Sequence, residues 1–499
     1  MNLNREILRL SLPSILANIT VPLVGMVDIA IAGHLGAQAV APAGNMAGVS
    51  LDAATLIGGI AVGSMLFDLL YWNFAFLRTG TGGLTAQAYG SYSSFPGAQQ
   101  SSFPGMSRES PPTGPILLRA LRIALLSGIG LVAIQWLVVQ VAFMVVKCSP
   151  EVQALASQYF YIRVWAAPAT LSLFAFKGWF IGMQDSVRPM TADLLVNGIN
   201  ILASAALALG IGGSGAIMHG GMSLIPALGF RGIALGTVVA QWCGFIYCSL
   251  AILRRYRGCF IGTLRDWGGF RGREGADGSF FRLNRDLFLR SAGMIAVYIG
   301  FTVISARFGD MMLAVSTILM KLLMIFSYFT DGFAYAGEAL TGRFIGAQSK
   351  DGVRSAIRGT FAWSAGVALL FMALYGFGGT WLFSIMTSDT AVIDAGRQFI
   401  PWLLLMPVAG CPAFVWDGIY TGATASRELR NSTLLCAVGF FAVWFVGYWL
   451  TGWHGTNSSA PSPETAIHIL MAAYFTHLAI RSVYLSLSRR AISQPVANR

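Results

Sequence analysis

Apolar residues run along the chain in long blocks, and arginines or clusters of Gly, Ser and Pro separate one block from the next. Each block has about the 20 apolar residues that a helix needs to cross a bilayer. The pattern predicts twelve spans. In the first half they fall near 10–35, 53–77, 116–142, 159–182, 190–211 and 232–253. In the second half they fall near 287–308, 312–340, 359–385, 398–422, 432–451 and 465–487. The fold class is therefore all-α integral membrane, since hydrocarbon offers no water to satisfy an open backbone.

The polar positions inside the blocks are few, and the first block holds the most informative one. Between Leu10 and Leu35 the only acid is Asp28, accompanied by Ser11, Ser14, Asn18, Thr20 and His34. Ser11, Ser14, Asn18, Pro22, Gly25 and Asp28 follow one another in steps of three or four, which puts them on one helical face. A carboxylate at membrane depth is costly and marks an ion or substrate pathway by default. Exchange of a proton near neutral pH needs a carboxylate held above its ordinary range, and an apolar surrounding does that. Pro22 removes the amide that would bond the carbonyl of Asn18, so it is the expected hinge.

Loop charge tests the count of spans. Of the 33 Lys and Arg residues, 26 fall in the N-terminus, the C-terminus and the connections that follow even-numbered spans. Four (Lys147, Arg231, Arg307 and Arg397) fall on the other side, and Arg163, Lys177 and Lys321 belong to the spans. This asymmetry predicts that both termini are cytoplasmic. A repeat accompanies it. Asn4 and Arg5 match Asn284 and Arg285; Leu84, Thr85 and Gly90 match Leu340, Thr341 and Gly346; Gly178, Gly182 and Ser186 match Gly418, Gly422 and Ser426. The falling offset implies insertions in the first half, around 37–60 and 91–115. An even number of spans per unit makes the repeat parallel, with a central cleft and the site expected between the halves. The domains read as an N-terminal lobe at 1–253, a cytoplasmic linker at 254–285 and a C-terminal lobe with its tail at 286–499.

Composition narrows the class further. Hydrophobic residues make up 55% of the chain and charged residues 11%, against about 25% charged in soluble domains. The apolar stretch after Arg9 is too long for a cleaved leader, so the first helix is expected to stay. The net charge of +12 is accounted for by loop arginines, and no basic stripe interleaved with aromatics argues for nucleic acid. Cys148, Cys243, Cys248, Cys259, Cys411 and Cys436 lack the spacing of a metal or redox site. No metal and no cofactor is expected beyond a coupling ion, H⁺ or Na⁺.

Several segments resemble one family. LANITVPLVGMVDIAIAGHLG (16–36), FLRTGTGGLTAQAYG (76–90), KGWFIGMQDSVRP (177–189), DGFAYAGEALTGRFIGA (331–347) and WDGIYTGATASRELRN (416–431) are similar to motifs of the multidrug and toxic compound extrusion (MATE) transporters, DinF-like branch. The resemblance extends over all twelve spans. It implies two six-helix lobes around a cleft, and export of organic, often cationic, compounds in exchange for H⁺ or Na⁺. It also implies a bacterial inner-membrane location. Asp28 matches the first-helix acid on which coupling in that branch is thought to depend, and Asn200 matches a fifth-helix neighbour of it. Many members carry an Asp one turn later, where this chain has Ser204. Asp417 matches a tenth-helix Asp that binds cations in another branch.

Other candidates rest on the residues themselves. Asn197 shares a face with Asn200 and, like it, reads either as a site residue or as a packing asparagine. Lys177 and Asp417 hold matching places in the repeat and read as a pair across the cleft or as separately satisfied groups. Asp331 and Glu338, seven apart, share a face that lines a cavity or caps loops. Lys321 has no evident partner. Asp68 and Arg78 read as snorkelling residues, and Trp165, Trp179 and Trp402 as packing or cation–π surface. The expected partners are small organic substrates and the lipid bilayer, with the protein a monomer. A lipid-linked saccharide flippase is the alternative among transporters, disfavoured by the small number of intramembrane cations. A membrane enzyme or a channel is the alternative of another class, against which stand the dispersed His34, His219, His454, His468 and His477 and the absence of a catalytic motif.

Overall fold

The structure, a computed structural model, describes residues 3–35, 53–93, 113–146, 148–210, 227–260, 274–387, 389–453 and 461–493. Among the described residues every regular element is a helix, and twelve are long and apolar enough to cross a membrane. In chain order these spans are Leu3–Ala32, Thr55–Ser93, Gly114–Ala133, Pro150–Gly182, Val187–Leu209 and Phe230–Arg255. There follow Arg282–Ala306, Met311–Gly346, Lys350–Met386, Ile400–Gly422, Ser426–Thr451 and Pro463–Ile492. Each predicted block finds one span. Several helices outrun their apolar block, the second to Ser93 and the eighth to Gly346, because a helix satisfies its own backbone and can leave the bilayer intact. Most of the two inserted stretches, and the middle of 254–285, lie outside the described residues.

The repeat is visible in helix ends and in packing. The fourth span is a helix Pro150–Arg163, one 3₁₀ turn and a second helix Ala167–Gly182. The tenth is preceded in the same way by Thr390–Arg397 before Ile400–Gly422. Pro168 and Pro401 each stand second in the restarted helix, where the missing amide has no intrahelical partner to lose. Ser149 and Asp389 cap the two leading helices. The fourth, eighth and tenth spans end alike: Gln184, Gln348 and Thr424 take φ of 61°, 55° and 56°. The next amides (Asp185, Ser349 and Ala425) reach back to the carbonyls of Phe180, Phe344 and Tyr420 at 2.9, 2.9 and 3.0 Å, which is the Schellman closure. Span 1 packs on span 5 as span 7 packs on span 11; the pairs 5–6, 2–4, 3–4 and 4–6 recur as 11–12, 8–10, 9–10 and 10–12.

The two sets of six meet along a seam in which backbone touches backbone. A Cβ on Gly90 would run into the carbonyl of Arg343, and one on Gly346 into the carbonyl of Gln87. Both partners are displaced by the same 256 residues, so the contact is reciprocal about a twofold axis between spans 2 and 8. The Gln87 amide donates to the carbonyl of Gly422, and the Gln184 amide to that of Ala339, both at 2.8 Å. Arg343 closes the same end by pairing with Glu6 at 2.9 Å. The molecule is shut at this end, where the first helix begins and spans 4, 8 and 10 finish.

Candidate functional site

Asp28 comes from the polar face of the first helix, which continues through Pro22 to Leu35. The carboxylate is buried, 6% exposed, and its Oδ1 has no hydrogen-bond partner among the described residues. Span 5 supplies the neighbouring surface. Ser204 lies within side-chain reach of Asp28, and the charge of Arg163 in span 4 acts on it. Asn200 is buried one turn before Ser204, but it is tied elsewhere. Its amide donates to Thr237 at 3.1 Å and its oxygen accepts from Ser204 at 3.2 Å. Of its two readings, site residue or packing asparagine, the contacts made among the described residues are those of the second: Asn200 links span 5 to a hydroxyl of span 6. Asn197 donates to Thr20 at 2.7 Å, two residues before the hinge proline, and Asn18 donates to the carbonyl of Tyr328 across the two sets.

Arg163 is the residue the sequence did not bring forward. It donates to Ser64 at 3.3 Å and Tyr159 at 3.1 Å, and stacks over Phe67 at 4.9 Å. From there its charge reaches both Asp28 and Asp68. A lone arginine near a helix end gives no signal of this in sequence; the break before Pro168 does, because it turns that end into the bundle.

The second set holds a denser polar cluster. Asp417 sits between Arg290 of span 7, at 2.5 Å, and Arg481 of span 12, whose Nε is 3.0 Å from Oδ1. Its charge is thus taken up by two guanidiniums and is not presented to a cation. Lys177 does not pair with Asp417 either: it pairs with Asp193 of the neighbouring span 5. Glu338 is paired with Arg78 of span 2 at 3.1 Å, the glutamate side chain 1% exposed, and Arg78 also lies over the Tyr335 ring at 4.5 Å. Arg78 is thus an inter-set partner and not a snorkelling residue. Asp331 accepts from Ser327 at 3.3 Å and feels the charges of Arg78, Arg290 and Arg481 without touching them. Arg290 and Arg481, which the loop-charge count took with the cytoplasmic side, lie within spans 7 and 12, as the predicted spans 287–308 and 465–487 had it, and face a carboxylate there. A helix end facing a protein partner and one facing water look the same in a charge count.

Comparison with known proteins agrees with this architecture. The MatE family model matches residues 113–205 and 287–446, together just over half of the chain. DNA damage-inducible protein F of Escherichia coli (strain K12) is 31% identical over 450 residues, covering 90% of this chain and 86% of that one. Protein DETOXIFICATION 42 of Arabidopsis thaliana is 22% identical over 340 residues, 62% of this chain and 60% of that one. Among solved structures, an outward-facing multidrug resistance MATE family transporter of the MOP superfamily aligns with TM-score 0.74 at 15% identity over 99% and 98% of the two chains. A MATE in the bent conformation aligns at 0.73 and 16% over 98% and 97%. Twelve spans packed as two like sets of six, with this match and this relative, make the chain a membrane transporter and not an enzyme: it belongs to the MATE family, in its DinF-like branch.

Proposed function

We propose that the chain is a secondary multidrug efflux antiporter that exports organic, often cationic, compounds in exchange for H⁺ by alternating access. The observation that carries this is Asp28, a buried carboxylate with an oxygen left unpaired among the described residues on a helix that contains a proline six residues earlier. Protonation removes its attraction to Arg163 and to any bound cation, alters the bend at Pro22 and shrinks the cavity of the first lobe, which expels the substrate. H⁺ suits the site better than Na⁺ because Asn200 and Ser204 spend their polar atoms on each other, on Thr237 and on the carbonyl of Ile233, leaving few oxygens to replace a hydration shell. Residues 1–253 and 286–499 act as the two lobes, joined by 254–285. The protein works as a monomer in the bacterial inner membrane with both termini cytoplasmic, and no cofactor takes part. The glycine seam then closes the cytoplasmic side and the cleft opens outward.

The flippase alternative gains no support from three of the cations inside the spans. Arg78 is spent on Glu338, and Arg290 and Arg481 on Asp417, so they do not form a free cradle for phosphate. The test is efflux of a fluorescent organic cation from proteoliposomes under separately imposed pH and Na⁺ gradients, for wild type and Asp28→Asn. Transport driven by the pH gradient and lost in the variant is the expected result. Transport that survives in Asp28→Asn removes Asp28 from the mechanism, and drive by Na⁺ alone replaces the coupling ion.

A further inference from the structure

Arg231 opens span 6 at the end of the molecule away from the glycine seam. Span 4 starts at the same end, and its leading helix Pro150–Arg163 packs against span 6 there. Between the two is a cavity of about 460 Å³ lined by Ala154, Ser157, Gln158, Tyr161, Ile162 and Arg231. All six belong to the first set, and span 6 packs on spans 1, 4 and 5 of that set. Val239, Ile246 and Leu250 stand exposed along span 6, as residues against lipid do. The cavity therefore lies on the flank of the first set, apart from the cleft between the sets.

The head of this groove is cationic. Arg231 is half-buried and has no carboxylate within salt-bridge reach among the described residues. With the Gln158 amide turned to face donors, its oxygen accepts from Nε and Nη2 of Arg231 at 2.7 and 2.9 Å. A neutral amide fixes the guanidinium plane without cancelling its charge, and of five N–H groups three are left for a ligand. The Tyr161 hydroxyl beside it has no partner among the described residues, whereas Ser157 donates back to the carbonyl of Gln153. Further along, the groove turns apolar. Arg231, Leu235, Val238 and Trp242 follow one another in steps of four, three and four, so they form one stripe of span 6, and none of them is buried. Opposite, Trp165 is exposed one turn beyond Tyr161. Its carbonyl, in the 3₁₀ turn Val164–Ala166, accepts from the Trp242 indole at 3.2 Å, which ties the foot of the groove together. Eleven residues from Arg231 to Trp242 make about 16 Å of helix, against about 15 Å for one leaflet of a bilayer's hydrocarbon core.

We propose that this groove holds one anionic phospholipid, its phosphodiester on Arg231 and Tyr161 and an acyl chain along Leu235, Val238 and the two tryptophans. A guanidinium fork matches two phosphate oxygens, and a zwitterionic lipid brings a cation of its own that Arg231 repels. A free anion would occupy the head of the groove and leave the apolar stripe bare; the stripe, one leaflet long, is what selects a lipid. With the orientation proposed above, the site faces the outer leaflet.

The experiment places a bimane at Val239→Cys, an exposed position beside the stripe, in a background without the six native cysteines. The purified full chain in detergent micelles is titrated with phosphatidylglycerol or phosphatidylcholine carrying the same brominated chains, whose bromines quench the dye on contact. With Arg231 in place, half-quenching is expected at about tenfold less phosphatidylglycerol than phosphatidylcholine, the worth of one charge-assisted hydrogen bond. Arg231→Gln removes that difference and leaves quenching by phosphatidylcholine as it was. Arg231→Lys, which keeps the charge without the fork, retains part of it. Arg254→Gln, the same loss of charge at the other end of span 6, changes nothing. Equal quenching by the two lipids, a preference that survives Arg231→Gln, or one that falls as far in Arg254→Gln overturns the proposal. Displacement of the brominated phosphatidylglycerol by equimolar inorganic phosphate makes the cavity a site for soluble anions and overturns it too. No gradient and no transported compound enters these titrations, so their outcome is separate from that of the antiport reading.

Discussion

The Arg78–Glu338 pair is the sharpest place to perturb the closed seam. It joins span 2 to span 8, and the glutamate side chain is 1% exposed against 20% for the arginine. Removing one member of a buried pair costs about 3–5 kcal/mol. Here the cost is lower, about 2 kcal/mol, because Arg78 is partly solvated and keeps its seat over Tyr335, a contact worth about 1 kcal/mol. The pair exists only while the sets are together, so the whole amount acts on the closed state. In Glu338→Gln the ratio of closed to open molecules falls about thirtyfold. The reporter is Ala86→Cys, a buried position of span 2 that faces Gly342 of span 8 across the seam, in a background without the six native cysteines. Its labelling by a membrane-impermeant maleimide applied from the seam side should rise about thirtyfold with Glu338→Gln. Arg78→Glu with Glu338→Arg should recover part of the protection. A labelling rate that stays at the wild-type value, or a double variant no better than the single one, would refute the view that this pair holds the seam.

Three further outcomes are expected. Gly346→Leu drives a side chain into the carbonyl of Gln87 and should speed Ala86→Cys labelling even with Arg78–Glu338 intact, with a loss of about 1–3 kcal/mol seen as a lower melting temperature. Arg481→Met leaves Asp417 with Arg290 alone at a site where the arginine is 1% exposed; thermal unfolding in detergent should report a loss of about 3 kcal/mol. Gln348→Gly relieves a left-handed backbone at an exposed position and should stabilise by up to about 1 kcal/mol, a rise in melting temperature with transport unchanged.

The fold was legible because burial in lipid leaves a long, unambiguous block of apolar residues for each span. The repeat was legible for another reason. Gly90 and Gly346, or Gly182 and Gly422, are fixed by backbone contacts that tolerate no side chain, so they persist in both halves although the offset between the halves changes. Charged groups were read less well. Arg78, Arg290 and Arg481 sit near ends of apolar blocks, where a solvated loop arginine and a buried one are written identically. Their partners Glu338 and Asp417 come from other helices, 260, 127 and 64 residues away. Asp28 stood out since nothing acidic surrounds it in sequence. The role of Asn200 did not, because Thr237 and Asp28 were equally available to it until the helices were packed.

The glycine seam also bears on electrical tightness. A carrier in an energised membrane sits beside a proton gradient that any continuous file of water would discharge. Where Gly90 meets the Arg343 carbonyl and Gly346 meets that of Gln87, two backbones are in contact and no room is left for such a file. Side chains alone would leave crevices that fluctuate with their rotamers; a backbone contact does not. The small residues repeated in both halves thus act as an insulator, and enlarging them would be felt as leak through the membrane before it was felt as lost affinity for any substrate.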